Sequence, residues 1–202
     1  EVIADRRGRP DDEQPNDLLG KMLNSRDPET GERLDDVNIR HQIVTFLIAG
    51  HETTSGLLSF TTYQLLKHPD VLERARGEAD EVLGDGPPRF EHLQELTYID
   101  QVLRESLRLW PTAPAYAVCP QQDTLLREGD KRYEVVAGEQ IMTLTPMLHR
   151  DPSVWSGDVE AFDPGRFAPD RIDARPPNAW KPFGRGRRAC IGRPFAMQEA
   201  KL

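Results

Sequence analysis

The sequence is poor in cysteine. Its 202 residues include only Cys119 and Cys190, and no C-x-x-C occurs. That excludes a disulfide framework and a zinc ribbon, and it fits a reducing, cytoplasmic setting. Long apolar runs are lacking too. The longest, Ile43 to Gly50, is far too short to cross a bilayer, so the chain offers no membrane segment. Nor is there an excess of positive charge. The formal net charge is -8 and the pI about 5.2, which disfavours nucleic acid as a general partner. There is no initiator methionine before Glu1. The chain also stops at Leu202, inside an apolar-periodic stretch with no Gly, Asn or Pro to end it. We therefore expect a piece of a longer protein, truncated at both ends.

The pattern that remains predicts a mainly α fold with a small β region. Residues 1–34 read as a loop with one short helix from Asp17 to Asn24. Residues 35–68 read as one long helix. Asp35 is its N-cap, and it ends before Pro69, because the residue preceding a proline avoids helical geometry. Residues 69–110 hold further amphipathic helices, stopped by Pro111. Residues 111–145 read as short strands, 146–190 as an irregular segment rich in Pro and Gly, and 191–202 as the start of a last helix.

One stretch runs against the acidic balance. Lys181, Arg185, Arg187, Arg188 and Arg193 follow one another with no acid between them. Such a run is ordinarily a solvated or nucleic-acid-binding patch. Here it surrounds Cys190, in Phe183-Gly184-Arg185-Gly186-Arg187-Arg188-Ala189-Cys190-Ile191-Gly192. A lone cysteine is ordinarily a small buried hydrophobe. Preceding arginines and a following helix N-terminus instead favour a thiolate, and the glycines permit a tight loop. Such a sulfur is either a nucleophile or a metal ligand. No histidine lies close upstream to serve as a general base, and a haem iron needs one strong proximal donor.

The spacing F-x-x-G-x-R-x-C-x-G, filled by Phe183, Gly186, Arg188, Cys190 and Gly192, resembles the haem-binding signature of the cytochrome P-450 family. The resemblance implies haem b, with Cys190 as the axial ligand of its iron. It further implies that Phe183 shields the sulfur, Arg188 pairs with a haem propionate, and Gly192 admits the porphyrin. Gly184 and Ile191 complete that contact.

A second segment, Ala49-Gly50-His51-Glu52-Thr53-Thr54, sits inside the long helix. Glycine and threonines are poor helix formers, and a carboxylate buried there would need a partner. A zinc-protease H-E-x-x-H fails, because position 55 is Ser. The segment resembles the family's oxygen-activating element. By that resemblance Ala49 and Gly50 lie over the haem, Thr53 holds dioxygen and its delivered protons, and Glu52 relays those protons. Phe46, Ala49, Ala113 and Ala115 are implied to face the substrate.

Glu105-Ser106-Leu107-Arg108 would ordinarily be a surface ion pair. It resembles the family's E-x-x-R, and Phe162-Asp163-Pro164-Gly165-Arg166-Phe167 resembles its P-x-R-F element, with Arg166 as third partner and Gly165 where Glu is common. The implied role is structural. Segments 46–55, 109–115 and 148–151 are most similar to the bacterial self-sufficient fatty-acid hydroxylases. This implies a monooxygenase acting on a small apolar substrate such as a fatty acid. Its electrons would come from NADPH through FAD and FMN of a flavin reductase, fused or separate. A peroxide-driven peroxygenase and a non-catalytic haem-binding sensor are the rival readings.

Overall fold

The structure is a computed structural model that describes residues 1–10 and 13–202. Asp11 and Asp12, within the stretch expected to be a loop, lie outside the described residues. The chain forms two compact units, Glu1–Glu52 and Thr53–Leu202. The fold is mainly α with a small β region.

The first unit corrects the reading of its N-terminus. Helix α1 (Val2–Arg7) forms where only a loop was expected. It buries no residue, so it has no apolar stripe for periodicity to detect. Ion pairs hold it instead: Arg6 Nη1 donates to both Asp17 oxygens at 2.9 Å, and Arg7 Nη2 to Asp36 at 2.5 Å. Asp17 also caps α2 (Leu18–Asn24), accepting from the Gly20 N–H at 2.8 Å. That bond, and then Arg6, hold its carboxyl below the usual range. Helix α3 (Asp36–Lys67) begins where Asp35 accepts from the Asn38 N–H at 2.7 Å. Its apolar residues lie all round the axis, and Val44, Leu47, Ile48, Leu58 and Leu66 are exposed on this chain.

The second unit is organised by α5 (Thr97–Leu109). One face packs Tyr98, Val102 and Leu109 against Val71 and Ala75 of α4 (Pro69–Leu83), with Phe162. The other packs Leu103 and Leu107 against Leu57 of α3 and Ala200. Each such aliphatic side chain contributes roughly 1.5–3 kcal/mol when fully buried. The first turn of α5 has no cap of its own. Glu78 supplies one from α4, accepting from the Tyr98 and Ile99 N–H groups at 2.7 and 2.8 Å. This satisfies orphan donors and places a carboxylate at the positive end of the helix.

The strands form two antiparallel pairs: β1 (Ala115–Val118) with β4 (Ile141–Leu144), and β2 (Thr124–Glu128) with β3 (Lys131–Val135). The segment expected to be irregular contains α6 (Thr145–Leu148), a 3-10 turn at Pro164–Phe167 and α7 (Pro169–Asp173). Each has a proline at its start, where the missing N–H costs nothing, and each is too short to show a period. After a further 3-10 turn at Gly186–Arg188 comes α8 (Arg193–Lys201), capped by Gly192. Lys201 ties α8 back, donating to Leu93 O and pairing with Asp100, both at 3.1 Å.

Candidate active site

The cysteine loop is built by its glycines. Gly184 and Gly186 have φ of +66° and +72°, where a side chain would be strained. The resulting turn lets the Cys190 N–H donate to Phe183 O at 2.8 Å. Phe183 anchors the other side of the loop by packing on the Leu57, Leu103, Leu107 and Ala200 cluster. Behind it Trp180 donates its Nε1–H to Arg104 O at 3.3 Å, with Arg104 and Arg193 within 5.4 and 5.6 Å of its ring centre. Cys190 itself is a free, exposed thiol standing just before the first turn of α8. A Cβ at Gly192 would lie 3.8 Å from its Sγ, so glycine keeps the flank of the sulfur open. Ile191 and Phe195 are 81% and 69% exposed beside it, and Arg185, Arg187 and Arg188 are exposed as well.

This donor set suits haem. One soft sulfur serves an ion whose other positions are filled by something else. Among the described residues no group of three His, Cys, Asp or Glu side chains could hold a bare ion. The exposed Ile191 and Phe195 offer an apolar face to a porphyrin, and Arg188 a cation to a propionate.

The carboxylate–arginine cluster is the opposite environment. Glu105 and Arg108 are fully buried. Arg108 donates twice to the Glu105 carboxylate, at 2.7 and 2.8 Å. Its other N–H groups go to the carbonyls of His149 (3.0 Å), Val159 (2.8 Å) and Ala161 (3.0 Å). All five guanidinium donors are thereby used. Glu105 accepts in addition from the Asp163 N–H at 2.9 Å. Burial pushes the Glu105 carboxyl up, against the pull of Arg108, that N–H and Arg166. Toward Glu105, Arg166 acts as a charge and not as a hydrogen-bond donor. Its Nε stands 3.6 Å from Glu105, while its Nη atoms donate to Ser156 O and, at 2.5 Å, to Asp158 O. Gly165 has a local cause: a Cβ there would sit 2.9 Å from the Asp163 Oδ1 that caps the turn.

On α3, Phe46 is half-buried, whereas Ala49, Gly50, Glu52 and Thr53 are exposed. The carboxylate of Glu52, read from sequence as buried, is therefore at the surface of this chain. Ala113 is exposed and Ala115 half-buried at the start of β1, opposite Leu144. Sequence reasoning missed how closely α3 approaches this segment. A Cβ at Gly56 would meet Thr112 Cγ2 at 3.0 Å, and Phe60 stacks on Trp110 at 5.7 Å. It also missed Trp180 and His149. A lone tryptophan among prolines carries no periodic signal, and His149 was noted only within Leu148-His149-Arg150-Asp151.

An exposed cysteine on a glycine loop that aromatics anchor behind, in the same unit as a buried Glu–Arg pair, defines a haem-thiolate class of protein. Comparison specifies the family. The cytochrome P-450 family model matches residues 1–202. The chain is 55% identical over its full length to the bifunctional cytochrome P-450/NADPH–P-450 reductase 1 of Bacillus subtilis, covering 18% of that protein. It is 52% identical to a self-sufficient cytochrome P-450 monooxygenase of Penicillium freii, covering 19%. The crystal structure of the cytochrome P450DA haem domain superposes on the whole chain with a TM-score of 0.93 at 51% identity, and the chain covers 43% of it. The chain belongs to the cytochrome P-450 family and spans about a fifth of the length of these curated relatives.

Proposed function

We propose that this chain is the haem-carrying part of a haem-thiolate monooxygenase that inserts one atom of dioxygen into a C–H bond. The observation that carries this reading is the Cys190 sulfur, exposed at the start of α8 on a loop that two left-handed glycines and Phe183 hold in place. Haem, when bound, supplies the one-electron and dioxygen chemistry. The chain's own residues ligate, position and move protons. With haem bound, Cys190 would provide an anionic sulfur donor to the iron and Arg188 a partner for a propionate. Glu105, Arg108 and Arg166 fix the backbone that leads to the loop. On α3, Thr53 holds a proton at its hydroxyl for delivery to dioxygen, and Glu52, exposed to water, reloads it.

The finer reading is a fatty-acid hydroxylase. Electrons come from NADPH through the FAD and FMN of a reductase, in a cytoplasmic setting. Its support is the fusion to an NADPH-dependent reductase that the names of the relatives state for those proteins, and the presence of small residues, Ala49, Ala113 and Ala115, and of Phe46 in the segments that resemble the substrate-facing ones of the family.

Thr53→Ala in the full-length enzyme tests the proton assignment. Haem and dioxygen should still bind, because neither the ligand nor the available space is reduced. Removing one placed proton-transfer group typically costs about 10²–10⁴-fold in the step it serves. The expected result is continued NADPH consumption with more hydrogen peroxide and less hydroxylated product. A parent-like ratio of product to NADPH without extra peroxide would remove Thr53 from the relay. A sensor would show no coupled product to lose, and a peroxygenase would need no NADPH.

A further inference from the structure

His149 belongs to neither the cysteine loop nor the Glu–Arg cluster, yet its hydrogen bonds connect them. Its side chain is fully buried at the end of α6. Nε2 lies 2.8 Å from the backbone N of Lys181, and Nδ1 lies 3.1 Å from the carbonyl of Arg108. A backbone N–H can only donate, so Nε2 accepts. A carbonyl can only accept, so Nδ1 carries the proton. Both partners are main-chain groups, which fixes the tautomer independently of any side-chain rotamer. The ring is neutral, in keeping with a pKa that burial lowers to about 4. Arg108 returns a bond from Nη1 to His149 O at 3.0 Å, and Trp155 meets the ring edge-on at 6.3 Å.

The Lys181 end leads to the sulfur. Lys181 O accepts from the Gly184 N–H at 3.2 Å, and next to it Phe183 O accepts from the Cys190 N–H at 2.8 Å. A short series of bonds therefore runs from α5, through one imidazole, to the ligand loop. Trp180 also bonds α5, its Nε1–H donating to Arg104 O. Of the two, His149 alone bonds main chain on both sides.

We propose that His149 is a positioning residue for Cys190, its neutral imidazole tying the backbone of Arg108 to that of Lys181 and so setting where the loop presents its sulfur. The inference rests on the haem-thiolate reading above. Its rival is a buried histidine that merely fills space.

The test uses the full-length haem protein. His149→Phe keeps a ring but removes both bonds, whereas His149→Gln retains an amide acceptor for the Lys181 N–H. Loss of an outer-shell partner typically weakens metal-site affinity 10–100-fold, so H149F should hold haem at least about 10-fold less tightly. In the haem that stays bound, the Soret band of the ferrous carbonyl complex and the ferric/ferrous potential should both shift, and H149Q should recover part of each shift. Lower melting temperature with wild-type spectrum and potential in both variants would overturn the proposal. Should H149F fail to fold, nitrogen-15 NMR of the unmodified ferrous carbonyl protein decides. A protonated Nδ1, with Nε2 coupled to the Lys181 amide, supports the proposal; a protonated Nε2 overturns it. Cys190→Ser run in parallel separates the two claims. Retention of the thiolate band in C190S would sink the haem-thiolate reading, whatever the state of His149.

Discussion

The Glu105–Arg108 cluster and the cysteine loop are joined in one unit but solve opposite problems. In the cluster every donor of Arg108 is buried and used: five guanidinium N–H groups meet a carboxylate and three carbonyls. In the loop the sulfur is left outside, with Cys190, Ile191 and Phe195 all exposed. The contrast shows how rigidity is divided. The Cys190 sulfur, proposed above to meet a cofactor, is held through its backbone, and that backbone by the half-buried Phe183 and Trp180 and the buried His149.

Breaking the cluster should therefore do more damage than trimming the periphery. Glu105→Ala leaves Arg108 buried without its counter-ion, at about 3–5 kcal/mol. Loss of haem incorporation in the full-length protein, read by haem content and melting temperature, is the expected outcome. Near-normal values would return the pair to the status of an ordinary ion pair.

Acid should act next, through His149. Its pKa lies at about 4 in the fold, against 6.5 for an ordinary histidine, through burial first and the charges of Arg108 and Arg150 after it. Below 6.5 the unfolded chain takes up a proton that the folded ring refuses. The stability from the neutral ring is thus complete above 6.5 and lost as pH falls to about 4, a change on the order of 3 kcal/mol. Denaturant unfolding across that window should show this slope in the full-length protein and lose it in H149F. An equal slope in both would exclude His149 as its source.

The smallest effect belongs to the first unit. Asp35→Ala removes the cap on the Asn38 N–H and should cost about 1 kcal/mol, with haem spectra untouched. A spectral change would mean that the start of α3 is coupled to the cysteine loop after all.

Much of this division was legible in the sequence, for reasons particular to each part. Asp35 and Pro69 bracket α3 because capping and proline sterics are local. Residues 111–145 read as short strands between turns, and the four strands fall inside that range. Cys190 stood out because basic residues and glycines cluster around it. What stayed hidden depends on distance along the chain. Helix α1 is held by Asp17 and Asp36, not by its own pattern. The bond from His149 to Lys181 spans two segments without periodicity. Arg166 could be placed near Glu105 by motif, but not its preference for the Ser156 and Asp158 carbonyls. The sequence also gave no sign that Glu52 would stand exposed on this chain, because an apolar helix reads the same whether or not its face is covered.

The claim on which the rest depends is that Cys190 alone ligates the iron. The most direct measurement is the ferrous carbonyl spectrum of the full-length protein with Cys190→Ser, beside Cys119→Ser as the control for the other exposed thiol. The account predicts that C190S loses the red-shifted Soret band that marks thiolate ligation, while C119S keeps it at parental intensity per haem. An unchanged band in C190S would contradict the account.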